Sequence, residues 1–190
     1  MRKTYPMTIA GLHRELPICA LNDHLAIGAF VIFGDPELTT AAAKALLAIA
    51  PTYDYIITAE AKGIPLAHEM ARLAGNQKYL VARKKAKAYM QEVFDVPVHS
   101  ITTAGEQHLF LDKADAELIH GSRICIVDDV ISTGESLHAV EELVKAAGGN
   151  VVGRLAILAE GDSQTRDDIL YLEKLPLFHP DGTILEGSLH

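Results

Sequence analysis

The chain has 190 residues, 49% of them hydrophobic, and a formal net charge of −8, which suits one well-packed domain with a sizeable core. The acidic balance argues against a general nucleic-acid-binding protein, because such proteins need basic surface to neutralise phosphates. No apolar run approaches the roughly 18 to 20 residues that span a bilayer, and no secretion-signal pattern is recognisable. We therefore expect a cytoplasmic protein with no membrane or nucleic-acid partner. Cys19 and Cys125 lie in apolar stretches, which predicts buried free thiols and neither a disulfide nor a zinc site.

The first 34 residues contain short apolar stretches separated by turn residues. Ile18 to Leu21 and Ala26 to Phe33 are separated by Asn22-Asp23 and neighbouring polar residues. This pattern predicts a small β-rich hood, residues 1–34, outside the main α/β repeat. A helix is predicted from Asp35-Pro36-Glu37 to about Ala50, because proline suits the first helical turn and acidic side chains suit the positive end of the helix dipole.

Strand-like and helix-like segments then alternate. The predicted strands are Tyr55 to Thr58, Tyr79 to Ala82, Ile124 to Val127 and Val151 to Leu158, and the predicted helices are Ile64 to Ala74 and Leu137 to Ala147. This order predicts an α/β fold, a doubly wound, mainly parallel sheet flanked by helices, over residues 35–180. Ligands bind such sheets at the carboxyl ends of the strands. Three of these ends carry polar sequence, at 59–63, 83–87 and 128–136.

The segment from Arg123 to Ser136 carries the most chemical information. A buried strand is predicted to end at Asp128 and Asp129, and a polar loop then leads into a helix. A loop of this kind aims backbone N–H groups and the positive end of a helix dipole at an anion, usually phosphate. Two carboxylates beside a phosphate repel it unless they bind something else on the same ligand, such as vicinal hydroxyls or a cation. A sugar phosphate meets both demands.

The other two polar strand ends are basic. The stretch between Ala71 and Gln91 contains six cationic residues and no acidic residue, which favours one small polyanion as its ligand; the six are Arg72, Lys78, Arg83, Lys84, Lys85 and Lys87. In an extended segment residues 83, 85 and 87 share one side, so Arg83 and Lys87 are the strongest candidates, while Lys84 binds the same ligand or faces solvent. Lys62 and Gly63 lie in a turn that faces the same cleft.

The segment from Arg123 to Ser136 resembles the signature that binds 5-phosphoribosyl 1-pyrophosphate (PRPP) in type I phosphoribosyltransferases: a hydrophobic strand, two acidic residues and a T-G-x-S/T loop. The resemblance implies that Asp128 and Asp129 hold the ribose hydroxyls. It implies that the 5-phosphate binds a loop formed by Ser132, Thr133, Gly134, Glu135 and Ser136. It also implies that pyrophosphate binds Lys62, Gly63, Arg83, Lys84 and Lys87, with Arg83 and Lys87 counted with the two aspartates as catalytic.

Residues 83–87, Arg-Lys-Lys-Ala-Lys, are similar to the R-K-K-G-K segment of adenine phosphoribosyltransferases. The resemblance therefore implies a purine salvage enzyme that transfers 5-phosphoribosyl from PRPP to a nucleobase, adenine first, and releases pyrophosphate. Xanthine, hypoxanthine and guanine stay open as the base, and so does a non-catalytic PRPP-sensing regulator. Mg²⁺ bound with PRPP and a homodimer are implied as well. A dinucleotide-binding protein is disfavoured, since no G-x-G-x-x-G follows a strand.

Two segments give weaker signals. From about 88 to 106 the pattern loosens, which predicts a mobile catalytic loop with a hairpin between Val96–Ser100 and His108–Leu111. In the adenine enzymes this loop carries S-x-E-Y-G, whereas this chain has Ser100 to Glu106, so Thr103 or Glu106 would have to substitute and no general acid or base is assigned. Near the C-terminus, strand-like pieces are predicted on both sides of an exposed charged loop at 173–174, followed by a C-terminal tail at 181–190 whose last residues, 187–190, are expected to be loose.

Overall fold

A computed structural model describes residues 3–90, 92–99 and 106–190. The strands are β1 (Thr4–Ile9), β2 (Leu12–Ala20), β3 (Ala26–Gly28), β4 (Tyr55–Ala59), β5 (Leu80–Ala82), β6 (Val93–His99), β7 (Glu106–Asp112), β8 (Arg123–Ile131), β9 (Asn150–Glu160), β10 (Leu170–Leu175) and β11 (Leu177–Phe178). The helices are α1 (Pro36–Ile49), α2 (Ile64–Ala74), α3 (Lys113–Ile119), α4 (Glu135–Ala146) and a 3₁₀ helix (Gly161–Thr165). Within these ranges no helix is long and apolar enough to cross a membrane.

The central sheet has five strands in the order β10-β9-β8-β4-β5, and every neighbouring pair is parallel. The predicted α/β fold with a parallel sheet is confirmed. The prediction that the third strand ends at the two aspartates is wrong, because β8 continues to Ile131. It does so because β9 keeps pairing with it, with Asp128 opposite Ala156 and Ile131 opposite Ala159.

Both faces of the central sheet are covered. On one face Ile124 and Ile126 of β8 pack with α3, α4 and β7, and on the other Cys125 and Val127 pack with α1, α2 and the N-terminal strands. Each fully buried side chain of this kind stabilises the fold by about 1.5–3 kcal/mol. This burial holds β8, which carries both aspartates, at the centre of the molecule. The predicted burial of the thiols holds for Cys125, whereas Cys19 is half-buried.

The N-terminal hood is a four-stranded sheet in the order β1-β2-β3-β11, so it includes a C-terminal strand. Phe178 of β11 is fully buried and meets the Tyr5 ring at a centroid distance of 5.1 Å. The exposed loop predicted at 173–174 does not form, because β10 pairs with β9 along Leu170–Leu175. The predicted looseness of the tail is also wrong: Ser188 is buried, and its carbonyl accepts a 3.0 Å hydrogen bond from Gln164 Nε2.

A hairpin docks beside the sheet edge. β6 and β7 are antiparallel, and backbone hydrogen bonds of 2.9 and 2.8 Å join Arg83 to Phe110. The predicted hairpin is confirmed but starts at Val93, so 88–106 is not one continuous loop. Its tip, 100–105 with Thr103, lies outside the described residues, as does the Glu106 side chain. Helix α3 was not predicted from the sequence, although Asp112 caps it by accepting a hydrogen bond from the Ala114 N–H at 3.2 Å.

Candidate active site

The parallel topology brings five polar segments to one edge of the sheet. The segments are 60–63 after β4, 83–87 after β5, 128–129 within β8, 132–136 after β8, and Glu160 at the end of β9. We call 132–136 the phosphate loop, and 60–63 with 83–87 the cationic loops. Because the carboxyl ends of parallel strands share an edge, residues far apart in sequence become neighbours. The predicted site residues therefore lie around one cleft.

The phosphate loop turns sharply into α4. Gly134 adopts a left-handed conformation, with φ of 81°, and precedes the first helical residue, Glu135. A Cβ atom at Gly134 would meet only the movable guanidinium of Arg166, at 2.9 Å, so glycine is favoured here by its backbone conformation. Beside the loop lies a cavity of about 60 Å³ lined by Asp128 and residues 130–137.

Two members of the predicted phosphate loop belong to the helix itself. Glu135 and Ser136 are in the first turn of α4, where backbone N–H groups have no partner within the helix. The Glu135 N–H faces Thr133 Oγ1 at 3.4 Å, a weak contact that an anion could replace. The helix N-terminus thus presents N–H donors and its dipole to the cavity, which is an anion-binding arrangement.

Of the two aspartates, Asp129 is buried and Asp128 is half-buried. Asp129 is 2% exposed, and its Oδ2 lies 2.9 Å from Lys62 Nζ in an ion pair that lacks hydrogen-bond geometry. Asp128 Oδ1 accepts a 2.9 Å hydrogen bond from the Asp129 N–H. Burial, followed by the charge of Asp129, raises the pKa of Asp128, while Lys62 opposes the shift. Such a pair gains when a ligand offers hydroxyl donors.

Lys62 and Gly63 lie in the turn after β4, as the sequence predicted, and glycine is needed at position 63 for close packing and not for its backbone conformation. Gly63 has φ of −71°, which any residue adopts. A Cβ atom there would lie 2.1 Å from Thr58 Oγ1 and 3.2 Å from Asp128 Oδ1. The tight approach of the loop to β4 and β8 therefore excludes a side chain. The peptide bond between Glu60 and Ala61, just before Lys62, is cis.

Glu60 is a site residue that the sequence analysis missed. Its Oε1 lies 3.1 Å from Arg83 Nη1 and 3.3 Å from Lys87 Nζ, and its Oε2 accepts from the Lys84 N–H at 3.3 Å. Burial opposes ionisation, but the bonds from Lys84, Lys87 and Arg83 outweigh it and lower the pKa of Glu60. Lys84 and Lys85 have exposed side chains. Arg83 and Lys87 therefore face one carboxylate, whereas Lys85, which the alternation placed on the same side, is exposed. The available signal for Glu60 was an acidic residue just after a predicted strand and two residues before Lys62.

Glu160 is a second missed residue, at the end of β9. Among the described residues its carboxyl group makes no hydrogen bond and no ion pair within 4 Å, although it is half-buried and close enough to Lys62 for the two charges to interact. Burial raises the pKa of Glu160 to about 7, and Lys62 reduces the shift. Lys62 thus has carboxyl groups on two sides, Asp129 and Glu160. The sequence signal was an acidic residue at the end of a predicted strand.

Comparison with known proteins gives a consistent result. The family model described as phosphoribosyl transferase domain matches residues 36–176. The chain is 33% identical over 163 residues to a hypoxanthine/guanine phosphoribosyltransferase of Methanococcus voltae, covering 83% of each protein. It resembles the structure of adenine phosphoribosyltransferase from Thermoanaerobacter pseudethanolicus, with a TM-score of 0.63, 23% identity and coverage of 75% of this chain and 84% of that one.

A second structure, adenine phosphoribosyltransferase from Saccharomyces cerevisiae complexed with an imino-altritol bisphosphate and adenine, gives a TM-score of 0.61 at 21% identity. It covers 90% of this chain and 93% of that chain. At such identities the structural matches establish a shared fold, which confirms the fold predicted from the sequence.

Proposed function

We propose that this chain, which belongs to the phosphoribosyl transferase family, transfers the 5-phosphoribosyl group of PRPP to a purine, with adenine as the preferred base. One observation carries the proposal: an aspartate pair, with Asp129 buried and Asp128 half-buried, lies between an anion-binding helix N-terminus and a set of cations, all at one sheet edge. PRPP has a ribose with two hydroxyls between a 5-phosphate and a pyrophosphate. Its groups match that order.

In this assignment the 5-phosphate enters the cavity at the phosphate loop and the hydroxyls donate to Asp128 and Asp129. The pyrophosphate binds Lys62, Arg83 and Lys87, with Lys84 as a further cation. Those cations are paired with Asp129 and Glu60 in the absence of ligand, so binding exchanges one set of anions for another. Charge on the leaving pyrophosphate is neutralised by the cations, and positive charge that develops on the ribose is stabilised by the carboxylates.

Mg²⁺ fits the donors of the cleft. It binds proteins through one or two carboxylates together with substrate phosphates, and it needs oxygen ligands in octahedral geometry. Asp129 Oδ2 is a buried oxygen without a hydrogen bond, next to the cleft where the PRPP oxygens are placed. The ion, held with PRPP, would supply further neutralisation of the pyrophosphate. We also propose a homodimer, by resemblance, and a cytoplasmic location.

The choice of base rests on less than the choice of PRPP. The similarity of residues 83–87 to the adenine enzymes favours adenine, although these residues face the pyrophosphate side. The relative from Methanococcus voltae, named as a hypoxanthine/guanine enzyme, favours a 6-oxopurine as a second candidate. A PRPP-binding regulator without catalysis is the third.

The test is incubation of the protein with PRPP, Mg²⁺ and each of adenine, hypoxanthine, guanine and xanthine, with nucleotide and pyrophosphate both measured. We expect AMP and stoichiometric pyrophosphate. Faster turnover of hypoxanthine or guanine would select the second candidate. PRPP binding without turnover of any base would select the regulator, and absence of PRPP binding would reject the assignment.

A further inference from the structure

The phosphate loop contains no cationic side chain. Residues 132–136 are Ser, Thr, Gly, Glu and Ser, and Asp128 lines the same cavity. A phosphate monoester carries a charge of about −1.5 to −2 at neutral pH, and the carboxylates of Asp128 and Glu135 repel it. Backbone N–H groups and the helix dipole supply only partial charges. A full positive charge close to the loop would therefore strengthen phosphate binding.

Arg166 brings such a charge to the loop. It follows the 3₁₀ helix, and its Nη1 lies 2.9 Å from the position that a Cβ atom at Gly134 would occupy. Arg166 is not one of the residues that line the cavity of about 60 Å³. Its charge therefore reaches a bound phosphate across the loop at Gly134, where no side chain intervenes.

An ion pair orients the Arg166 guanidinium. Nε and Nη2 donate to the two carboxylate oxygens of Asp168 at 2.9 and 2.7 Å, a bidentate geometry that fixes the guanidinium plane. In the part of the chain that the structure describes, Nη1 makes no hydrogen bond. The nitrogen that is left with two free N–H donors is thus the one nearest to the phosphate loop.

The backbone that carries Arg166 is attached to the strand that leads into the phosphate loop. The Arg166 N–H donates to the Ser163 carbonyl oxygen at 3.3 Å. Ser163 is buried, and its Oγ donates at 2.6 Å to the carbonyl oxygen of Ile131, the last residue of β8. The position of Arg166 relative to the loop is therefore set by the main chain as well as by the ion pair with Asp168.

We infer that Arg166 supplies positive charge to the 5-phosphate site and that Asp168 orients its guanidinium for that role. This inference rests on the proposed function and adds to it a phosphate-binding residue from outside the phosphate loop. The ion pair with Asp168, and to a smaller extent the charge of Glu141 on α4, raises the pKa of Arg166, so the guanidinium keeps its charge.

Arg154 shares the carboxylates around Arg166. It lies on β9, pairs with Glu141 through Nε, and lies 3.4 Å from Asp168 Oδ2. His138 Nδ1 lies 3.7 Å from the other Glu141 oxygen. Two guanidinium groups thus share two carboxylates, which leaves Arg166 incompletely neutralised and able to interact with a ligand.

The experiment measures binding of ribose 5-phosphate by calorimetry for the wild type, Arg166→Gln, Arg166→Met and Arg166→Lys. Pyrophosphate is measured in saturating ribose 5-phosphate, so that it reports the cationic loops. Arg72→Gln is the matched control, because Arg72 also makes a bidentate ion pair, with Glu69 within α2. We expect Arg166→Gln and Arg166→Met to weaken ribose 5-phosphate by about 3- to 30-fold, and Arg166→Lys to stay within about 3-fold of the wild type. Pyrophosphate affinity should be unchanged in every variant.

The ionisation of the bound phosphate separates a charge effect from bracing of the loop. The second pKa of a phosphate monoester is about 6, and a nearby cation favours the dianion over the monoanion. A ³¹P NMR titration of bound ribose 5-phosphate should give a pKa about 0.5 unit higher in Arg166→Gln than in the wild type, since a tenfold loss for the dianion accompanies a roughly threefold loss for the monoanion. Asp128 lines the same cavity in both proteins, so the difference between them reports Arg166.

A bracing role predicts other results. Weaker binding with an unchanged phosphate pKa would overturn the inference, and so would a loss that Arg166→Lys does not restore. Equal ribose 5-phosphate affinity in all variants would overturn it as well. Melting temperature is measured for each variant, and Arg166→Met, which keeps the length of the side-chain stem, keeps the test valid where Arg166→Gln does not fold.

Failure of the proposed function looks different. If the protein turns over no base, while Arg166→Gln weakens ribose 5-phosphate and Arg166→Lys restores it, the inference stands and the transfer reaction is rejected. If a purine is turned over and the Arg166 variants bind ribose 5-phosphate as the wild type does, the function stands and the inference is rejected. A wild type that does not bind ribose 5-phosphate rejects both.

Discussion

The phosphate loop and the cationic loops occupy neighbouring strand ends but bind charge by different means. The phosphate loop offers backbone N–H groups at the start of α4, fixed by a left-handed Gly134. The cationic loops offer side chains, which are already paired with Glu60 and Asp129. The first region is preformed for an anion, whereas the second must exchange its anions when pyrophosphate binds. Between them, Asp128 and Asp129 bear charge that neither region fully compensates.

The largest expected effect comes from removing the aspartate pair that both regions flank. Asp128→Asn together with Asp129→Asn should lower kcat/KM for PRPP by about 10²- to 10⁴-fold, since each lost bond to a charged acceptor costs about 1.5–3 kcal/mol. Steady-state kinetics with varied PRPP measures it. Asp23→Asn, in an exposed turn, is the control. Unchanged PRPP affinity and turnover in the double variant would show that the ribose binds elsewhere.

This pair and the phosphate loop were predictable because they are contiguous. Strand, two carboxylates, loop and helix follow one another in 14 residues from Arg123 to Ser136, so local rules describe them. The residue at which β8 ends was not predictable, because it depends on pairing with β9. The β9 residues that pair with β8 lie about 28 residues later along the chain.

The side chains around the cations were not predictable for the same reason. Glu60 meets Arg83 and Lys87 only because β4 and β5 are adjacent, and Glu160 approaches Lys62 only across β8. The sequence predicted that these cations bind a ligand, but it did not predict the carboxylates with which they are already paired. The docked tail likewise depends on Gln164, a residue with no local signal.

The next effect tests how closely the loop after β4 approaches the aspartates. Gly63→Ala would place Cβ 2.1 Å from Thr58 Oγ1, so we expect a loss of about 1–3 kcal/mol in the free energy of unfolding, as for overpacked cores. PRPP turnover should fall with it. Chemical denaturation and kinetics measure the two effects.

Two variants sharpen this test. Thr58→Ala in the Gly63→Ala background removes the clashing oxygen and should recover part of the stability. Gly75→Ala, with φ of 72° but open space around it, should lose stability through backbone strain while activity is kept. If Gly63→Ala behaves as Gly75→Ala does, close approach is not what requires glycine at this position.

A pH test distinguishes Asp128, whose negative charge is not fully compensated, from Glu60, whose negative charge is paired with cations. Asp128 has a raised pKa, so the native state binds the proton more tightly than the unfolded state and stability falls as pH rises from near 4 through the raised pKa. Asp128→Asn should therefore raise the melting temperature at pH 8, by roughly 2–8 °C for about 1–2 kcal/mol, and the gain should vanish below pH 4. Scanning calorimetry across pH 3.5–8 measures it, and equal gains at pH 4 and 8 would contradict a titrating origin.

The smallest effect concerns the exchange of anions at the cationic loops. Glu60 has a lowered pKa, so its contribution to stability is present above pH 4.5 and is lost as pH falls below that value. Glu60→Gln should lower the melting temperature slightly at pH 7, in the opposite sense to Asp128→Asn.

Glu60→Gln should also free Arg83 and Lys87 for pyrophosphate. We therefore expect the KM for PRPP to fall by about 1.5- to 5-fold, the equivalent of about 0.2–1 kcal/mol for a partly exposed ion pair. The fall should shrink in 0.5 M salt, because screening weakens both the old and the new pairs. Glu37→Gln, which breaks the exposed ion pair to Arg14 and touches neither cationic loop, is the matched control and should leave KM unchanged. A rise in KM for Glu60→Gln would mean that Glu60 orients the two cations toward pyrophosphate and does not compete with it, and the cationic loops would then be as preformed as the phosphate loop.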